Sequence, residues 1–165
     1  QEGRDALAAG LHFVADAYAL AEGKTCVLRF GRMESGSARN AVSDRTRLEG
    51  TLRCFDEALF AELWQRLEAL ARRVGEETGC AVRLTRSEGY PPVTNDPALL
   101  TEAKTRFPIA EAAPSYTTED FSEFQRRVPG VFFFLGTGGP ALHTPDFDFD
   151  PSVLDTGLAL FEALL

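Results

Sequence analysis

The chain has 165 residues, 44% hydrophobic and 25% charged, with a formal net charge of -8. This is the composition of a globular protein of one or two small domains. The charge argues against nucleic acid as a partner, because phosphate binding needs a basic face, and no apolar run approaches the ~20 residues that a membrane span requires.

The charge is uneven. Residues 1–90 hold 13 Lys+Arg against 14 Asp+Glu, and residues 91–165 hold 4 against 11. The acidic part reads either as a solvated surface or as the wall of a cation site. The start, QEGRDALAAG, lacks a basic segment leading into an apolar core, so it is no signal peptide. It opens almost directly into a helical pattern, as a piece cut from a longer chain would. Cys26, Cys54 and Cys80 are odd in number and widely spaced, without a CxxC pair, which argues against a zinc ribbon or a redox dithiol. They read as reduced, small buried hydrophobes of a cytoplasmic protein.

In chain order, residues 4–21 read as a helix with an apolar stripe of Leu7, Leu11, Val14, Tyr18 and Ala21. KTCVLRFG (24–31) is a strand. RMESGSARNAVSD (32–44) is a loop or hairpin connection. DRTRLEGTLRCF (44–55) alternates as an antiparallel strand with one wet face. Residues 56–78 are the clearest helix, capped by Asp56 and Gly79, with Leu59, Leu63, Leu67, Leu70 and Val74 as its stripe. CAVRLTRSEGY (80–90) alternates again and reads as a strand. The order α-β-β-α-β is a split βαβ, or ferredoxin-like, unit without its first strand.

YPPVTNDP (90–97) marks a boundary. Beyond it a short helix covers about 97–106, and a second helix starts at Thr118 with acids in its first turn and arginines in its last. VFFFLG (131–136) reads as a central strand buried on both faces. It feeds a glycine-rich loop, GTGGPALHTPDFDFD (136–150), that carries His143. Asp150 and Pro151 then open a last helix whose inner face is Leu154, Leu158, Phe161 and Leu165. In open α/β sheets ligands bind at the carboxyl ends of strands, so His143 is the candidate ligand-bearing residue. Asp146, Asp148 and Asp150 lack the glycine and closing glutamate of a calcium loop. His12 lies on a helix and reads as structural.

Four stretches carry a family likeness: GRMESGSARNAVSDRTRLEGTLRCFD (31–56), EGYPPVTNDP (88–97), TEDFSEFQRRVPGVFFFLGTG (118–138) and LHTPDFDFD (142–150). Together, in this order and spacing, they resemble the second half of an M20-family metallopeptidase, in the branch of N-acyl amino acid amidohydrolases and carboxypeptidases. The resemblance implies an α/β (α+β) fold in two parts. Residues 1–90 would be most of the lid, a ferredoxin-like dimerisation domain lacking its first strand. Residues 91–165 would be the last part of the metal-binding catalytic domain.

The implied activity is hydrolysis of the amide bond of an N-acyl amino acid or small peptide. A pair of zinc, manganese or cobalt ions would activate water for that chemistry. His143 falls on the family's final metal ligand. Asn40 and Arg53 fall on contacts to the substrate carboxylate, a task suited to an amide and a guanidinium fork. Gly136 and Gly138 match a loop that lets backbone approach substrate, and Glu119 matches a catalytic Glu-Asp-Phe motif. The family's other metal ligands and its glutamate base have no counterpart here, so this chain alone is expected to bind no metal pair and to be inactive. Thr117-Thr118 replaces a pair of small residues, and Ala41-Val42-Ser43 replaces an apolar pair with proline. Both changes alter the pocket's shape. The implied partner is a second copy docked through the lid. The alternative is a non-catalytic dimerisation or interaction module.

Overall fold

The computed structural model describes residues 3–165. The chain is of the α/β class and divides into two compact units. The first comprises residues up to Pro92 together with Tyr116–Thr118, and the second comprises Val93–Ser115 and Glu119–Leu165.

The first unit runs α1 (Ala6–Ala21), β1 (Cys26–Ser35), β2 (Thr46–Cys54) and α2 (Glu57–Thr78). Both helices pack on one face of the β1–β2 hairpin. The core is Ala9, Phe13, Ala17, Leu28, Leu67, Leu70, Ala71 and Val74, with Phe30, Leu48, Leu52 and Leu84 against it. Asp5 caps α1 by accepting from the N–H groups of Leu7 and Ala8, and Asp56 caps α2 through Ala58 N–H. Gly79 ends α2 in the left-handed conformation, φ 70°. That backbone is routine only for glycine.

The face that α1 buries differs from the expected stripe. Leu7, Leu11 and Tyr18 are exposed, Leu11 by 55%. The buried face is instead Ala9, Gly10, Phe13 and Ala17. The helix is apolar on most sides, so periodicity does not choose a face. Close approach does. A Cβ on Gly10 would lie 2.7 Å from Thr46 Cγ2, so small residues let the helix settle onto β2. Phe30 completes the seat, edge-on to Phe13 (6.0 Å) and Tyr18 (5.6 Å). Its N–H also donates to the Tyr18 hydroxyl. Polar groups tie α1 to α2 at the surface: Arg73 pairs with Asp16 at 2.6 Å, and His12 lies between Asp16 and Glu77.

β1 runs four residues beyond its expected end, through a bulge between Phe30 and Arg32. The extra residue at Gly31 shifts the alternation, which is why 32–35 did not read as strand. Past the bulge, Arg32, Glu34, Arg47 and Glu49 form the wet face through exposed ion pairs.

Residues 80–90 form no ladder, contrary to the expected strand. In a ferredoxin-like sheet this segment pairs with the strand preceding the first helix, and the described residues contain none. The segment runs back along α2 instead. Val82 packs near Gly75, Leu84 reaches the core, and the Arg86 guanidinium sits over Phe60 and Trp64 at 5.7 and 5.5 Å, a cation–π arrangement.

The second unit holds α3 (Pro97–Arg106), α4 (Phe121–Gln125) and α5 (Val153–Leu164). Asp96 caps α3 with Pro97 in its first turn. At the other end of α3, Arg106 donates to the Ala163 and Leu164 carbonyls that close α5. α4 is far shorter than the helix expected from Thr118. It starts after Asp120 and frays at Arg126, ahead of Pro129. Residues 131–136 also form no ladder, and Phe134 is 59% exposed rather than buried. On α5 the apolar stripe exists but faces outward: Leu154, Leu158 and Phe161 are all more than half exposed. The 3.6-residue period identifies an apolar face, but among the described residues no element covers it.

Gly50 sits opposite Phe30, and a Cβ there would lie 2.7 Å from the Arg29 carbonyl and 2.9 Å from the Phe30 ring. Gly50→Ala should therefore destabilise the protein by about 1–3 kcal/mol, the usual cost of overpacking. Gly31→Ala meets nothing within 4 Å and should stay within about 0.5 kcal/mol of wild type. Urea midpoints of the two variants measure the contrast.

Candidate functional site

The candidate residues divide between the two units. In the first, Asn40 is exposed in the turn of the 36–45 loop, where Ala41 N–H bonds back to the Ala38 carbonyl. Arg53 pairs with Val27 near the opposite end of the hairpin. Seven residues of strand separate Thr46 from Arg53, roughly 23 Å at strand rise. Within one copy Asn40 and Arg53 are therefore not brought together on one small carboxylate. The Arg53 guanidinium donates to the Tyr116 carbonyl. The Tyr116 ring stacks on Phe55 at 4.3 Å, so the arginine is anchored at one edge of its fork.

In the second unit, Glu119 is half-buried just ahead of α4, and its carbonyl accepts the buried Ser122 hydroxyl at 2.9 Å. Phe121, two residues on, packs against Phe132 at 5.5 Å. This links the Glu119 turn to the segment that leads into the glycine loop. Gly136 and Gly138 face open space, and Gly138 has a left-handed backbone, φ 66°. A peptide there is accessible to a ligand without side-chain hindrance.

His143 is exposed at the turn of this loop. It is the one non-glycine among the described residues with positive φ, 64°. Such a backbone is uncommon outside glycine, with Asn, Asp and His enriched, and non-glycine residues held there concentrate at functional positions. Local hydrogen bonds fix the turn: Thr144 Oγ1 donates to the Ala141 carbonyl, and Phe147 N–H donates to the Thr144 carbonyl. At the base of the loop a Cβ on Gly139 would lie 2.3 Å from the Asp148 carbonyl oxygen. The two limbs therefore pinch together there, with His143 between them in sequence. Asp150 accepts the Ser152 N–H at 2.9 Å, and that backbone bond, with the Ser152 hydroxyl, holds its carboxyl below the ordinary value of 3.8. The turn at 151–152 precedes α5, so Asp150 orders the helix start from two residues further out than a standard cap.

Sequence reasoning missed the residues that hold this frame. The Asn95 side chain both donates to the Phe132 carbonyl (3.1 Å) and accepts its N–H (2.8 Å). Gln125 bridges the Thr94 N–H and carbonyl and also reaches the Gly130 carbonyl. Two side-chain amides thus do what a neighbouring strand would do for residues 130–132. No periodic pattern signals this, because a side-chain amide in a loop has no characteristic spacing.

Among the described residues, no group of three or more His, Cys, Asp or Glu is placed to hold a metal ion. One imidazole does not fix a metal pair, so these residues by themselves do not fit the metal site that the resemblance implies. No described helix is long and apolar enough to cross a membrane.

The model of peptidase family M20/M25/M40 matches residues 3–165. The chain belongs to that family. It is 32% identical to an N-acetyldiaminopimelate deacetylase of Lactococcus lactis subsp. cremoris, over 92% of this chain and 44% of that protein. It is 29% identical to one from Streptococcus pneumoniae, over 99% of this chain and 47% of that protein. Its fold matches the Bacillus subtilis YXEP protein, described as a dinuclear metal binding peptidase of the M20 family. The TM-score is 0.84 at 25% identity, over 97% of this chain and 45% of that one. The chain thus spans less than half the length of each of these relatives.

Two variants test the frame. Asn95→Ala leaves both backbone groups of Phe132 without their partner and should cost about 1–3 kcal/mol in a denaturant titration. Asp150→Asn tests the α5 start. A depressed carboxyl contributes fully above its ordinary pKa of 3.8 and loses that contribution as pH falls through the lowered value. Acid unfolding followed by circular dichroism should be less pH-dependent in the variant.

Proposed function

We propose that this chain is the lid and the end of the catalytic domain of a metal-dependent amidohydrolase that removes the acyl group from an N-acyl amino acid. An N-acetylated amino acid with a free carboxylate is the substrate class favoured by the names of its relatives. The observation that carries the reading is His143, held with a left-handed backbone in a pinched loop inside the family match. In this reading His143 supplies one ligand to a divalent metal pair, with zinc, manganese and cobalt all compatible with an imidazole donor. The remaining ligands come from outside this chain.

The carboxylate of the substrate falls to Arg53, whose fork is anchored at one edge by Tyr116. Asn40, at the far end of the hairpin, contacts substrate only in a different copy or a different pose. Gly136 and Gly138 offer backbone to the substrate, and Glu119 orients groups around it. Residues 1–90 act as the lid and residues 91–165 close the catalytic domain. The exposed Leu7, Leu11 and Tyr18 of α1 supply an apolar face for a homodimer, and three widely spaced cysteines without a CxxC pair suit a cytoplasmic enzyme. The rival reading, a non-catalytic dimerisation module, draws on the lack of a three-ligand group among the described residues.

His143→Asn separates the two, because asparagine tolerates the left-handed backbone but removes the imidazole. In the full-length protein it should weaken metal affinity by more than the roughly 10–100-fold typical of outer-shell changes, and N-acetyl amino acid hydrolysis should fall with it. Unchanged metal content and turnover would remove His143 from the site and favour the module. Arg53→Lys should raise KM about 10–100-fold, the worth of a charge-assisted hydrogen bond, with kcat largely kept.

A further inference from the structure

Cys26 and Cys54 lie directly opposite one another on the β1–β2 ladder, at the end away from the 36–45 loop. Backbone hydrogen bonds identify the kind of pair. Cys26 N–H donates to the Lys24 carbonyl at 2.8 Å, and four residues on, Phe30 N–H donates to the Tyr18 hydroxyl. Both amides thus turn away from the ladder. By the two-residue period, Cys26–Cys54, Leu28–Leu52 and Phe30–Gly50 are the non-hydrogen-bonded pairs, in which Cα atoms sit about 4.5 Å apart and side chains approach most closely. A disulfide spans Cα separations of roughly 4.4–6.8 Å. Both thiols are half-buried rather than sealed in the core. Cys26 Sγ makes a long contact, 3.9 Å, to the Ala21 carbonyl.

We propose that Cys26 and Cys54 are a modification site, a thiol pair that closes to a reversible cross-strand disulfide with a low-molecular-weight disulfide as oxidant. The exchange balances. One cysteine thiolate attacks a sulfur of the oxidant, forming a mixed disulfide and expelling one small thiolate. The second cysteine thiolate attacks the protein sulfur of that mixed disulfide and expels the other. The protein loses two protons and two electrons, and the oxidant leaves as two thiols. The bond fastens the end of the hairpin next to Arg53 and ties it to the exit of α1. This rests on hairpin geometry alone and is independent of the hydrolase reading.

Burial, then the neighbouring Cys26 and Asp56, raise the Cys54 thiol to about 11. Its thiolate is scarce near neutral pH, so closure is slow there and accelerates as pH rises.

The test is incubation of the native full-length protein with glutathione disulfide at neutral and alkaline pH, followed by non-reducing digestion and mass spectrometry. The expected product is a linked Cys26–Cys54 peptide pair, lighter by two hydrogens than the reduced pair, formed faster at alkaline pH and reversed by dithiothreitol. Cys54→Ser should halt the reaction at a Cys26–glutathione adduct. Glutathione adducts on Cys26 or Cys54 of the wild type that do not resolve into the link would overturn the proposal. So would an absence of reaction at both, or pairing of either cysteine with Cys80.

Discussion

A backbone N–H or carbonyl taken out of water must find a partner, and among the described residues only β1 and β2 provide one another with a ladder. Other extended stretches solve the problem differently. Residues 130–132 borrow the side-chain amides of Asn95 and Gln125. Residues 80–86 lie along α2 and are held by side chains, with Val82 near Gly75 and Arg86 over two aromatic rings. The glycine loop ties itself together through its own turn and the contact of Gly139 with the Asp148 carbonyl.

The single hairpin is consequently the frame of the first unit. Its packing face is set by Phe30 against α1 and by the absence of a side chain at Gly10 and Gly50. Its two ends have different chemistry. One presents the loop with Asn40, and the other gathers Arg53, the Phe55–Tyr116 stack and the facing thiols. In the second unit, a pinched loop places one imidazole in the open with a backbone that costs free energy to hold.

Much of this was legible in the sequence. α2 announced itself through its period, with Asp56 at its start and Gly79 at its end, and α3 through the proline-rich boundary that precedes it. The family followed from four stretches in order, and the exposed loop around His143 from its glycines. What was not legible has physical causes. The period of α1 could not choose between two apolar faces, because the deciding factor was the size of Ala9, Gly10 and Ala17 against β2. The stretches 80–90 and 131–136 have strand composition, but a strand is a relation between two segments and composition states only one side of it. The stripe on α5 was read correctly as apolar and wrongly as inner, for the same reason. Cys26 and Cys54 are far apart in sequence, and only the register of the hairpin reveals that they meet.

Trp64 is the sole tryptophan of the chain, and Arg86 caps its ring from a segment that has no strand partner. Its indole is thus a built-in optical gauge of that segment. When residues 80–86 lift from α2, the ring loses a cation and gains solvent, and its emission moves to longer wavelength. The helices can stay folded while this happens. Fluorescence and helical signal would then part company, reporting the peeling of one stretch of chain separately from the melting of the core.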